Sequence, residues 1–197
     1  MTHESPLFEM RRLEALSNTI FGVAMTMLAY DLPRASQFTT VPRWGDLLPA
    51  YEARLTALML SFIIAGLFWF SHHRRLTIAP HGTRSVVFLN LLFLMSIVVM
   101  PATNSLYGSY SSSSVVAAVY GLHLAITATL NTTLWLIAFQ GRFRPEFLAA
   151  ATSTIIFVSG AATALDSPET AKYIWFLAFG SPAVMNLARR REQRRQQ

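Results

Sequence analysis

The chain contains no cysteine among its 197 residues, which excludes a disulfide scaffold and any thiolate metal or redox site. Charge is also scarce. Only 13% of the residues are Asp, Glu, Lys or Arg, against about 25% in an ordinary soluble domain. With 53% hydrophobic residues and a mean hydropathy of +0.39, there are too few charges to wet the surface of a globule of this size. A soluble globular enzyme and a disordered chain are both ruled out, and the composition describes a polytopic membrane protein. The net charge of +6 and pI near 10.3 raise nucleic acid as a partner. The Arg residues, however, cluster in short islands between apolar runs instead of interleaving with aromatics on a wetted face. No nucleic-acid partner is expected.

The uncharged runs define the organisation. Between Arg84 and Arg142 lie 57 residues without an Asp, Glu, Lys or Arg. A helix crosses the hydrocarbon in about 20 residues, so this stretch holds two spans separated by the small, polar Tyr107–Ser114 segment. The runs Ala15–Tyr30, Leu55–Ser71, Phe147–Leu165 and Tyr173–Ala188 are each about one span long when slightly extended. The expectation is an all-α membrane protein with six spans, near 13–32, 50–72, 85–106, 114–139, 146–165 and 170–188, and a basic tail at 189–197. Breakers agree: Pro33 and Pro42 bracket the first loop, Pro80 and Gly82 the second, and Pro145 opens the fifth helix. Ser167 and Pro168 form an N-cap and N1 pair before the sixth. Pro101 is expected to kink the third span or mark its fraying end. The first apolar stretch lacks a small-residue cleavage site, so no cleavable leader is expected. One domain over 1–197, without an internal repeat, accounts for the chain.

Orientation follows the basic residues. With the N-terminus cytoplasmic, the inner segments carry twelve Arg: Arg11 and Arg12, Arg74, Arg75 and Arg84, Arg142 and Arg144, and five in the tail from Arg189 to Arg195. The outer segments carry Arg34, Arg43, Arg54 and Lys172. Both termini are therefore expected on the cytoplasmic side of the plasma membrane. The Arg-rich tail is expected to rest against anionic headgroups, with the bilayer as its partner.

Polar groups in hydrocarbon are expensive unless paired or wet, which makes them functional candidates. In the first span Val23, Thr26, Met27 and Tyr30 fall at i, i+3, i+4 and i+7, one helical stripe. On spacing alone such a stripe is ordinary helix packing. The second span ends Phe68-Trp69-Phe70-Ser71-His72-His73-Arg74-Arg75, whose aromatics read as an interfacial belt and whose Arg pair reads as an anchor. His72 and His73 suggest a metal, but neighbours on a helix diverge by about 100°. The other histidines, His3, His81 and His123, sit at no ligand spacing. No metal and no cofactor are expected. Asn90, His123 and Asn131 are expected to make interhelical hydrogen bonds; His123 is also open to a proton-sensing role. No charged residue lies in the central third of any span, which disfavours a charge-coupled carrier and favours a passive pathway.

Taken in order, these segments resemble the transmembrane protein 175 family, the potassium channels of endosomes and lysosomes, in its single-repeat bacterial form. That family's first helix opens with Arg, three residues and Phe-Ser-Asp, followed by an apolar run; here stand Arg12, Leu16-Ser17-Asn18 and Val23-Ala24-Met25-Thr26-Met27-Leu28. Its second helix carries Ser-Phe and Trp-x-x-His-His-Arg, matched by Ser61-Phe62 and Trp69, His72, His73 and Arg74. Asn90-Leu91-Leu92-Phe93-Leu94 and Pro101 continue the pattern in the third. The resemblance implies a homotetramer with four copies of helix 1 around a central pore that conducts potassium. It implies a constriction at Val23, Met27 and Tyr30, with Thr26 offering an oxygen to the ion, in place of a carbonyl filter. It also implies a structural hydrogen-bond network in which Arg12, Ser17 and Asn18 meet Trp69, His72 and Asn90. Leu16 and Asn18 replace the family's Phe and Asp, so one carboxylate of that network is lost. A carrier for a small neutral solute, or a non-conducting membrane subunit, is the alternative. No nucleophile–base or metal constellation points to an enzyme.

Overall fold

The computed structural model describes residues 10–79, 82–141 and 145–196. His3, Pro80, His81, Arg142 and Arg144, invoked above, lie outside the described residues, as does the Arg195 side chain. Every regular element among the described residues is helical. Helix α1 runs Met10–Met27 and tightens into a 3-10 turn at Leu28–Asp31. A short 3-10 turn, Ala35–Gln37, precedes α2, Trp44–Ile78. Then come α3, Arg84–Ser109, α4, Ser114–Ala138, and α5, Pro145–Ala164. The last rod is α6, Pro168–Phe176, a 3-10 turn at Leu177–Gly180, and α7, Ser181–Gln196.

The expected sixth span at 170–188 is thus one rod in two α-helical pieces. Its backbone stays right-handed through the joint, with Leu177 at φ −63°, ψ −21° and Ser181 at φ −59°, ψ −34°. Pro182 has no N–H to offer the Ala178 carbonyl, so the ladder resets there. Six helical rods result, and four of them, α2 to α5, are long and apolar enough to cross a membrane by themselves. The chain is a multi-pass membrane protein. Helix α1 falls short because its 18 residues include Arg11, Arg12 and Glu14.

Several boundaries differ from the sequence expectation. Helix α2 is 35 residues long, beginning before residue 50 because the Asp46 carboxylate accepts the Arg43 backbone N–H at 2.9 Å and caps its first turn. Pro101 neither ends nor frays α3, which continues to Ser109. The Tyr107–Ser114 loop shrinks to Tyr110–Ser113, because Tyr107 and Gly108 are buried inside α3. Tyr107 stacks on Tyr120 of α4, centroids 4.6 Å apart. A Cβ on Gly108 would stand 3.3 Å from Ala57 of α2. Packing against two helices extends this polar segment beyond its local preference. Hydroxyls start α3 and α4: Thr83 accepts from the Val86 N–H and Ser113 from the Val116 N–H.

The core has two aromatic knots. Phe21 of α1 meets Phe93 of α3, which meets Phe68 of α2, which meets Phe157 of α5, at centroid distances of 6.0, 6.2 and 5.9 Å. Trp175 of α6 sits edge-on to Tyr107 and Tyr120 at 5.6 and 5.2 Å. Its indole is fully buried because α4 and α5 leave a slot at Gly121 and Gly160. A Cβ on Gly160 would lie 2.3 Å from Trp175 Nε1, and one on Gly121 2.8 Å from the same ring. Gly160→Ala is expected to lower thermal stability in detergent, by about 1–3 kcal/mol for overpacking. Gly66→Ala, where a Cβ meets nothing within 4 Å, should leave stability unchanged or raise it by roughly 0.5–1 kcal/mol. Equal melting of the two variants would refute the slot.

Candidate functional site

Helix α1 packs on α2 and α3 with one face only. Leu13, Ser17, Phe21, Ala24 and Leu28 are buried, at steps of four, four, three and four. On the other side Val23 is 54% exposed, Met27 51% and Tyr30 68%. Thr26 shares that face and donates its hydroxyl to the Val23 carbonyl at 2.8 Å, leaving its oxygen lone pairs directed away from the helix ladder. The four residues of the predicted stripe therefore stand together on a face that no helix among the described residues covers. Leu16, at 44%, also faces outward.

The residues expected in a single hydrogen-bond network are only partly joined. Trp69 Nε1 donates to the Asn18 side-chain oxygen at 2.9 Å, which ties α1 to α2. Ser17, although buried, donates instead to the Leu13 carbonyl at 2.7 Å, within its own helix. His72 is held between Phe21 and Phe93, at centroid distances of 5.8 and 5.5 Å. Its Nδ1 meets Arg75 Nη2 at 2.6 Å. The Asn90 side chain is buried with no hydrogen-bond partner for either amide atom among the described residues. Arg12 lies exposed at the start of α1. The physical reason is helix geometry: Ser17 and Asn18 diverge by about 100°, so one turns into the core and the other toward Trp69.

The end of α2 also departs from the expected belt and anchor. Phe68 is in the core and Trp69 bonds to α1, while Phe70 is exposed. His73 points the other way from His72, stacks on Trp69 at 5.5 Å and places Nδ1 3.1 Å from the Glu14 carboxylate of α1. Arg75 is no surface anchor; it is 1% exposed. Its guanidinium donates to the Asn131 oxygen of α4 at 2.8 Å, and Asn131 Nδ2 donates to Ser71 Oγ at 3.0 Å. Trp135 Nε1 reaches the same hydroxyl at 3.0 Å. Asn131 thus makes the interhelical bonds expected of it. His123 does so as well, between Thr103 Oγ1 at 2.8 Å and the Ser96 carbonyl at 2.9 Å, both on α3. A third cluster, Ser61 with Asn104 at 2.6 Å and Tyr120 at 2.7 Å, joins α2, α3 and α4.

Glu146 at the start of α5 is almost fully buried and binds two Arg side chains, Arg74 of α2 at 3.0 Å and Arg189 of α7. Arg189 therefore pairs with protein at the point where the tail begins. Arg74 and Glu146 of this cluster line a cavity of about 50 Å³ between α2, α4, α5 and α7. Among the described residues no three His, Asp or Glu converge as a metal site would require. The partners of Arg75 and Glu146 lie 56 and up to 72 positions away, which is why spacing does not reveal them. The signal that was present is the Asn131 amide, a polar group in a mostly apolar helix.

These features define a class: a helical multi-pass membrane protein whose first helix keeps one apolar, hydroxyl-bearing face uncovered. Comparison with known proteins narrows it. Residues 12–101 match the sequence profile of the family described as endosomal/lysosomal potassium channel TMEM175. A potassium channel of Streptomyces collinus is 31% identical over 134 residues, 64% of this chain and 63% of that protein. A potassium channel of Chamaesiphon minutus is 30% identical over 133 residues, 64% of each chain. The chain thus spans just under two thirds of the length of these curated relatives. A crystal structure of a lysosomal potassium-selective channel TMEM175 homolog from Chamaesiphon minutus superposes with a TM-score of 0.79 at 23% identity, covering 90% of this chain and 98% of that one. The resemblance drawn from the motifs is therefore shown: the TMEM175 sequence pattern occupies the first three helices, and the fold of a solved homologue occupies nearly the whole chain. The matched family and relatives are channels, not enzymes.

The buried Arg75 yields a stability prediction. Asn131→Leu removes a partner from a desolvated guanidinium and should destabilise the protein by about 1.5–3 kcal/mol. Adding Arg75→Met should recover part of that loss, because no buried charge is then left without its partner. Thermal unfolding of the two single variants and the double variant checks this, and simple additivity would count against it.

Proposed function

We propose that this chain is a passive, potassium-permeable cation channel, assembled as a homotetramer with four α1 helices around a central pathway. One observation carries the reading: the helix bearing the family's sequence pattern leaves Val23, Thr26, Met27 and Tyr30 on an uncovered face. Apolar side chains ringed around an axis gate water and ions by dewetting. Val23, Met27 and Tyr30 supply such rings, and the Thr26 hydroxyls supply oxygens that replace part of the ion's hydration shell. No charged residue lies within the stripe, so conduction needs no coupled proton or sodium ion and no cofactor; potassium is the permeant species.

The remaining site residues act structurally in this reading. The Asn18–Trp69 bond sets the rotation of α1 about its axis and so the residues offered to the pathway. Ser17, His72 and Asn90 fill the interface behind it, and Arg12 marks the cytoplasmic mouth. The excess of Arg on the loops and tail of one side favours a plasma-membrane protein with both termini cytoplasmic. The whole of 1–197 then works as one channel unit.

The test is flux from liposomes loaded with potassium in the presence of a proton ionophore, repeated with sodium. Potassium efflux exceeding sodium efflux is expected. Val23→Ala and Met27→Ala should each change unitary conductance by roughly two- to tenfold, the effect of about 0.4–1.4 kcal/mol on the barrier. Absence of flux from correctly assembled protein would transfer the reading to a carrier of a neutral solute or a non-conducting subunit. Unaltered conductance in both variants would return the stripe to ordinary packing.

A further inference from the structure

The uncovered face of α1 does not end at Tyr30. The chain turns there, and Arg34 folds back so that its guanidinium carbon lies 3.9 Å from the centre of the Tyr30 ring. Arg34 Nη2 also donates to the Tyr30 carbonyl at 3.3 Å. The turn itself is pinned to α2: Arg54 Nη1 donates to the Asp31 carbonyl at 3.1 Å and the Tyr51 hydroxyl donates to the Pro33 carbonyl at 2.7 Å. Tyr30, Asp31, Arg34 and Arg54, with Ser36 and Gln37, line an open polar cleft of about 280 Å³. Two guanidiniums stand in it against one carboxylate, Asp31. A positive charge is thus held in a fixed place at the end of the stripe opposite Arg11 and Arg12.

We propose that Arg34, clasped on Tyr30, forms an electropositive ring at one mouth of the pathway that lowers potassium access from that side and discriminates against divalent cations. The inference rests on the channel reading above and adds to it a specificity determinant. Four copies bring four Arg34 and four Arg54 against four Asp31 around one axis, and a net charge of one sign at a confined mouth sets the local density of permeant ions. The Boltzmann exponent scales with ion charge, so a potential that thins monovalent cations about threefold thins divalent cations about ninefold. A cation pore gains by this: divalent ions that would lodge among the Thr26 oxygens are kept from the entrance, at the expense of some potassium current.

The charge is screened by salt, which gives the experiment its handle. The Debye length is about 30 Å at 0.01 M salt and about 3 Å at 1 M. In planar bilayers at the lower salt, potassium current entering the wild-type tetramer from the Arg34 side should be about one third of that entering the Arg34→Gln tetramer from the same side. The difference should vanish at the higher salt. Arg34→Lys, which keeps the charge without the planar stack, should behave as the wild type. Arg34→Glu should raise the low-salt current above that of Arg34→Gln and make it sensitive to magnesium added on that side. Arg54→Gln should raise the current in the same direction as Arg34→Gln. A conducting Arg34→Gln or Arg34→Glu channel with the wild-type low-salt current and wild-type magnesium response overturns the proposal. A wild-type protein that passes no potassium overturns the channel reading beneath it, and that outcome is seen before any variant is made.

Discussion

The one-sided burial of α1 is the constraint on which the rest of the structure depends. Five of its residues, spaced as a helix stripe, sink into the groove between α2 and α3, and Phe21 among them joins the aromatic chain that continues through Phe93 and Phe68. A helix held on one side has its rotation fixed, and its opposite side is fixed with it. Val23, Met27 and Tyr30 are therefore exposed by the same packing that buries Leu13, Ala24 and Leu28. Lipid can cover such a face at no cost to its apolar groups, and the Thr26 hydroxyl is satisfied by the Val23 carbonyl of its own helix. The exposed Asn18 is made use of as well, since it accepts from Trp69 at the edge of the contact.

Helix α2 is the element against which the others are set. Along its length it presents Arg54 and Tyr51 to the turn after α1, Ser61 to α3 and α4, Ser71 and Arg75 to α4, and Arg74 to α5. In an apolar surrounding, dispersion packing alone discriminates weakly between rotations of neighbouring helices, whereas a polar group satisfied in one register only discriminates strongly. The polar residues of α2 are spaced so that each half of the bundle receives at least one such pin. Arg75 is the most demanding of them, because among the described residues its hydrogen-bond partners are Asn131 and His72, neither of them a carboxylate. Glu146 plays the complementary part at the same end, where one carboxylate serves Arg74 and Arg189.

Charge scarcity and turn residues made much of this legible in the sequence. The uncharged runs give the number and order of the helical rods because desolvating a charge in hydrocarbon is so unfavourable that its absence marks a span. The exposed α1 stripe was legible as a period, although its period alone could not distinguish packing from a pathway. Boundaries were less legible: the polar Tyr107-Gly108 segment reads as loop locally, yet packing on Tyr120 and Ala57 makes it helix. The hydrogen-bond partners were least legible. Ser17 and Asn18 are adjacent and equally polar, and only the tertiary groove decides that one bonds within its helix and the other across it. Arg75 reads as an interfacial anchor beside Arg74, and one step of helical rotation separates the half-buried from the fully buried guanidinium.

That same rotation explains why replacing the family's Asp with Asn18 is compatible with the fold. The position faces outward from the α1 groove, and the bond it makes is one in which its oxygen accepts from an indole N–H. An amide oxygen accepts such a bond with the same geometry as a carboxylate. What the amide cannot do is hold a second, charged partner as strongly. In this chain the neighbouring charges have found other arrangements: His73 approaches Glu14, one helical turn before Asn18, and His72 lies against Arg75. Glu14 thus keeps one acid between α1 and α2, near the start of α1. Two contacts therefore orient α1 on α2: the neutral Asn18–Trp69 bond and, one turn toward the helix N-terminus, the approach of His73 to Glu14.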